Sequence, residues 1–302
     1  MNAYHNNILY LFLLLFSIAV FADDAEPQGF QPTEPLRASW VFSGIIRNES
    51  GEQYGYFFQI KRHDDQFQAL TALIDEQTKK VVLYEEDSAI IPDPAGNSWQ
   101  IGHAFFSFNP INDSWVFGLK RKDKTGFNFK VDMLRSFANE PVIQVLRPGI
   151  KLIVSQTNRV NGHLHIGEET KEQFVTANSA WFRQVWLTEK QEHSHTFSGI
   201  LCQFDDGSGF YSVNLKEDDA QDGAVAGFCD KEGQSKRMSQ FVDLQEDKEQ
   251  QSLWHIRIAS PRMHLTLSDE IPEKHIRAGF FSQDNQSGFC LLNDATLGEN
   301  IA

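Results

Sequence analysis

One hairpin-like pattern occurs twice in this chain. Phe42-Ser43-Gly44-Ile45-Ile46 is followed by a polar turn and Gly55-Tyr56-Phe57. Phe197-Ser198-Gly199-Ile200-Leu201 is followed by Asp205-Asp206-Gly207 and Gly209-Phe210-Tyr211. From 42 to 197 is 155 positions and from 55 to 209 is 154, which places a one-residue difference in the turn. An apolar run, a cluster of turn residues and a second run rich in aromatics make a β-hairpin. The same hairpin in both halves predicts two related β units in tandem, with 42–58 and 197–212 equivalent.

Period-two alternation extends this reading along the chain. Tyr54, Tyr56, Phe58 and Ile60 share one strand face, with Gln59 and Lys61 on the other. Trp115, Phe117 and Leu119 repeat the pattern, as do Phe127, Phe129, Val131 and Met133. Leu152 and Val154, then Trp254, Ile256 and Ile258, then Met263, Leu265 and Leu267 continue it. Antiparallel strands with one buried face read this way. Turn signals stand at 48–51, 123–126, 161–162, 230–233 and 285–288. Many short strands with regular turns predict an all-β protein of sandwich or barrel type, and a barrel removes exposed edges by closure.

Residues 8–21 are apolar and uncharged, too short to span a bilayer and suited to a secretory leader cleaved after Ala22. Residues 23–36 are acidic and Pro-rich and read as a flexible lead-in. The expected units are then 37–175 and 176–302, in a periplasmic or secreted protein with no stable membrane insertion. The net charge of −14 lies wholly outside the leader and disfavours nucleic acid and anionic lipid. Cys202, Cys229 and Cys290 permit one disulfide and one free thiol, but an odd count argues against a disulfide scaffold. The pairing stays open at this level.

Several phrases, in order, resemble the AttH/CrtC-like (hydroxyneurosporene synthase-like) lipocalin-related family. They are Ala38-Ser39-Trp40-Val41-Phe42-Ser43-Gly44 with 54–59, Ile101-Gly102-His103-Ala104-Phe105-Phe106, and Leu152 to Gly162. Val175 through Trp181-Phe182-Arg183-Gln184-Val185-Trp186 resembles the approach to the family's Trp-x-Asp-His-x-Trp-Gly segment, and Cys202 to Gly207 its downstream turn. The resemblance implies two tandem calycin/lipocalin-like β-barrels with a ligand cleft between or within them. In the family, enzymes that hydrate a carotenoid double bond are the best known. By position Trp186 matches the motif's second tryptophan, while Arg183 and Gln184 stand where it has Asp and His, and Leu187 where it has Gly. Around Phe210-Tyr211-Ser212-Val213, where a further acid is implied, there is no carboxylate. Gln cannot titrate, so the proton donor that hydration requires is missing from these positions.

The resulting expectation is an exported protein that binds a small hydrophobic molecule, isoprenoid- or fatty-acid-like, without chemistry. The alternatives are a hydratase, isomerase or cyclase of an isoprenoid-like substrate, and a protein-interaction module with a collapsed pocket. The ligand-binding candidates are Trp186, Gln184, Arg183, His103 and Tyr211. Trp181 and Trp186, five apart, should face opposite sides, with Gln184 beside Trp186. His163-Leu164-His165 and His193-Ser194-His195 could supply metal ligands but read more simply as exposed strand histidines, and His103 as a satisfied core residue. No cofactor or metal is expected. Residues 243–249 read as a solvated acidic loop.

Overall fold

Antiparallel pairing dominates the computed structural model, which describes residues 32–92, 94, 96–133, 143–167, 171–189, 195–217, 220–232, 234–240, 242–250, 253–269, 271, 276–283 and 286–297. The leader and most of the lead-in fall outside the described residues, as does His193. The described residues from Pro35 onward belong to one compact unit. The described residues contain no helix.

The first sheet holds thirteen strands: β1 (Arg37–Asn48), β2 (Gln53–His63), β3 (Gln66–Asp75), β4 (Val81–Ile90), β5 (Ser98–Ile101), β6 (Ala104–Asn109), β7 (Ser114–Lys120), β8 (Gly126–Asp132), β9 (Gln144–Arg147), β10 (Ile150–Gln156), β11 (Arg159–His165), β12 (Gln173–Ala177) and β13 (Trp181–Leu187). One path runs β4-β3-β2-β1-β12-β11-β8-β7-β6-β5, and its ends touch. The sheet forks at β1. Arg47 and Asn48 pair with β12, whereas Ala38 to Ser43 pair with β13, which continues through β10 to β9.

The second sheet holds nine strands: β14 (His195–Phe204), β15 (Gly209–Glu217), β16 (Ala220–Cys229), β17 (Ser235–Arg237), β18 (Val242–Glu246), β19 (Leu253–Ile258), β20 (Met263–Ser268), β21 (Ile276–Gln283) and β22 (Gln286–Leu297). Its order is β17-β16-β15-β14-β22-β21-β20-β19-β18. The change of sheet falls between Leu187 and His195, so the expected boundary near 175 lies within the first sheet, because β13 pairs with β1 and β10.

Three apolar cores follow from strand alternation. Trp40, Phe42, Phe58, Phe106, Phe117 and Phe182 belong to the interior of the first barrel. Their rings touch: Phe42 and Phe117 are 4.5 Å apart between centroids, Phe106 and Trp115 4.6 Å, Trp40 and Trp99 5.4 Å. Such packing fills the barrel as a core. A second layer joins the sheets, combining Val41, Phe57 and Trp181 of the first with Phe197, Leu201 and Phe289 of the second. Ile200, Ile256, Leu265 and Phe281 belong to a third core inside the second curl.

The two hairpins are equivalent in topology. Each opens its sheet, and β1 and β14 each pair with the next strand and with the strands that end the sheet. The residue match does not hold through β1 and β14. Phe42 faces the first barrel's interior, but Phe197 faces the layer between the sheets. Both connecting turns, 49–52 and 205–208, are four residues long, so the difference is one of register and not of turn length. With side chains alternating, an odd slip exchanges the faces. On β2 and β15 the even offset keeps them: Tyr56 and Phe210 face inward, Phe57 and Tyr211 the layer.

Asn161-Gly162 is not a turn but the middle of β11. A Cβ on Gly162 would meet the Asn128 carbonyl oxygen at 1.9 Å, so glycine serves close strand approach here. Residues 243–246 belong to the edge strand β18, where a loop was expected. His195, expected exposed, is fully buried and accepts a hydrogen bond from Arg147.

Cys202 and Cys290 stand opposite each other on β14 and β22 and form a disulfide; Cys229 is buried and lies outside that disulfide. The bond closes a long loop of the chain, so removing it should cost about 2–4 kcal/mol. Thiol titration of the unreduced protein in guanidinium should find one reactive thiol, and the Cys202→Ala/Cys290→Ala variant should unfold at lower denaturant. Three thiols in the unreduced wild type would contradict the pairing.

Candidate functional site

Strand β13 carries the central feature. Its seven residues are all buried, because β1 and β10 flank it and both its faces are covered. Trp181, Val185 and Leu187 face the second sheet, and Phe182 and Trp186 the first barrel's interior. Arg183 shares parity with Trp181, so its guanidinium enters the apolar layer between the sheets.

Arg183 is 1% exposed. Nη2 donates to Asn293 Oδ1 at 2.7 Å, and the guanidinium lies over the Phe197 ring, 4.7 Å from its centroid. Among the described residues Nε and Nη1 have no acceptor, and Asn293 Nδ2 has none either. Gly199 makes the room: a Cβ there would fall 2.0 Å from Nη1. Burial pushes the guanidinium down to about 9, with no carboxylate among the described residues opposing it. It therefore remains a cation at neutral pH, and an unpaired buried cation costs several kcal/mol. Three unsatisfied N–H-bearing atoms beside a fixed positive charge constitute a donor set for a carboxylate or another small anionic group.

The five expected site residues separate into three places. Trp186 is in the packed first barrel, and Gln184, fully buried on the same strand parity, points to that side. The expected opposition of Trp181 and Trp186 holds, with Trp181 facing the layer and donating from Nε1 to the Cys202 carbonyl at 2.8 Å. Arg183 and Tyr211 border the layer; the Tyr211 ring meets Trp181 edge-on at 5.8 Å, and its hydroxyl accepts from Gln144 at 3.3 Å. Burial raises the Tyr211 phenol, so it is neutral at pH 7. Asn293 and Gly199 were not singled out from the sequence. Only the pairing of β14 with β22 brings them under Arg183.

His103 is half-exposed on the β5–β6 turn, not in the core. Its Nδ1 lies 2.8 Å from Glu85 Oε1, and its backbone N–H donates to Asp87 Oδ2 at 2.9 Å. Arg121 donates from Nε to Glu85 Oε2 at 2.7 Å. Gly102 permits the approach, since a Cβ there would meet the Asp87 carboxylate at 2.3 Å and its φ is +57°. Glu85, Asp87 and His103 are close enough to hold a metal ion, but Arg121 already supplies the counter-charge. The cluster fastens the barrel where β4 meets β5. A polar cleft of about 320 Å³ opens at the fork of β1, lined in part by Ile45, Ser179, Gln203 and Asp206. There Gln203 accepts from the Ile45 N–H and donates to the Ser179 carbonyl, tying the sheets together.

No protein-family model matches the sequence, and no curated protein matches it. Among solved structures, the protein described as AttH from Nitrosomonas europaea superposes with a TM-score of 0.61 at 16% identity, covering 85% of this chain and 92% of that one. Kievitone hydratase from Nectria haematococca gives 0.55 at 11% identity, covering 88% and 90%. The likeness is one of fold: both are lipocalin-like barrel proteins, and this chain has tandem lipocalin-like barrels.

Two outcomes follow. Arg183→Met removes an uncompensated charge, so urea unfolding of the ligand-free protein at pH 7 should show equal or higher stability. A loss above about 2 kcal/mol would mean that the cation is compensated. At the seam, burial alone would raise the Glu85 carboxyl, but hydrogen bonds from His103 and Arg121 outweigh it and hold it below 4.5. Its contribution is thus present above the unfolded value and lost as pH falls through the folded one. The stability gap between wild type and Glu85→Gln should shrink below pH 4.5; a gap unchanged down to pH 3 would exclude this role.

Proposed function

We propose that this protein binds an apolar molecule with a carboxylate or similar acidic head, and that the head docks on Arg183 between the two sheets. The observation that carries this reading is the buried, uncompensated guanidinium with Nε and Nη1 unsatisfied beside Asn293 Nδ2. An acidic head satisfies both the charge and the donors, and the surrounding Val41, Val154, Phe197 and Leu291 suit an apolar tail. The filled first barrel argues against a tail lying along its axis. Among the described residues the sheets share no strand ladder, so parting the layer breaks side-chain contacts and leaves backbone pairing intact.

Binding without turnover is the preferred form of this reading. Arg183 and Gln184 occupy the positions where the resembling family carries Asp and His, and neither serves as an acid near neutral pH. Action outside the cytosol accords with the leader-like start and with the Cys202–Cys290 disulfide.

The test compares palmitate with hexadecanol by calorimetry on wild type and Arg183→Met. Palmitate should bind wild type at least tenfold more tightly than hexadecanol, and the variant should lose that preference while still binding the alcohol. Equal affinity of wild type for acid and alcohol would refute the head-group assignment. Product formation from a polyene would refute the binding-only reading.

A further inference from the structure

The outer face of the second sheet carries a pair of imidazoles independent of the Arg183 site. Trp254, Ile256 and Ile258 of β19 pack inward, as do Met263, Leu265 and Leu267 of β20. Alternation therefore turns His255, His264 and Thr266 outward. His255 stands opposite Thr266, and His264 is its diagonal neighbour, opposite Arg257. His255 Nδ1 and His264 Nε2 are 3.3 Å apart, and the ring centroids 5.4 Å.

Asp247 supplies the orienting carboxylate. Its Oδ2 lies 3.1 Å from His255 Nε2, and its Oδ1 accepts from the backbone N–H groups of Glu249 and Gln250 at 2.8 and 3.0 Å. A carboxylate accepting from Nε2–H sets the tautomer and leaves the lone pair of His255 on Nδ1, the atom that faces His264. Two imidazole nitrogens on a tetrahedral ion, with metal–nitrogen bonds of about 2.0–2.1 Å, stand about 3.3 Å apart. The Thr266 hydroxyl lies 3.4 Å from the same Nδ1. Arg257 is the cation nearest in register, and it is drawn towards Asp243 at 3.9 Å.

We infer that His255 Nδ1 and His264 Nε2 chelate a divalent late transition metal, zinc or copper, with Asp247 as the positioning residue behind His255. Imidazole ligands suit these ions, and water completes the coordination. The net charge of −14 raises the local concentration of cations around the protein.

Calorimetric titration of the EDTA-treated, dialysed full chain with Zn²⁺ and with Cu²⁺ at pH 7.5 tests this. One site per chain is expected. His255→Ala and His264→Ala should each weaken binding at least tenfold, and Asp247→Asn ten- to hundredfold. His163→Ala, on an exposed position of another strand, should leave it unchanged. Wild-type affinity no greater than that of the His255→Ala/His264→Ala double variant, with circular dichroism unchanged, would overturn the inference and leave a hydrogen-bonded histidine pair.

Discussion

Everything in this fold depends on strands that are buried on both faces. β1 and β13 serve the aromatic core of the first barrel on one side and the layer against the second sheet on the other. Among the described residues no backbone ladder links the sheets, so the layer is held by side chains: Trp181 on the Cys202 carbonyl, Gln203 on Ile45 and Ser179, and apolar packing between. Glycines set how closely the sheets approach. A Cβ on Gly44 would fall 2.7 Å from the Gln203 amide oxygen, and one on Gly199 would displace the Arg183 guanidinium. Into this close contact the chain places a cation, at a position where an apolar side chain would satisfy packing at lower electrostatic cost.

The strands and their faces were legible because period-two alternation is a local property. Tyr54 to Ile60, Phe127 to Met133 and Met263 to Leu267 each turn the expected side inward. What alternation cannot supply is the identity of the facing surface. Arg183 and Gln184 are neighbours, yet one enters the inter-sheet layer and the other turns to the barrel side. That difference depends on where β14 and β22 lie. The pairing of Cys202 with Cys290 and the burial of His195 likewise follow from long-range register. The repeated FSGI phrase carried the right topology with the wrong residue equivalence, since an odd slip leaves a strand's composition unchanged while exchanging its faces.

Fold and site also speak to different questions. Tandem lipocalin-like barrels accommodate both enzymes and binding proteins, so the chemistry must be argued from particular groups. Here those groups are donors, Arg183 and Asn293, together with the neutral Tyr211 phenol and the aromatic face of Phe197. Under the proposed reading, the donors of this constellation serve to hold an anion.

The most direct measurement of the central claim is ¹³C NMR of palmitate labelled at the carboxyl carbon and bound to the protein. A head held on Arg183 in the buried layer should give one resonance whose shift stays constant through the ordinary carboxylate range, while Arg183→Met should abolish that resonance or make it titrate. A wild-type signal that titrates like the free acid would place the head in water and contradict the account.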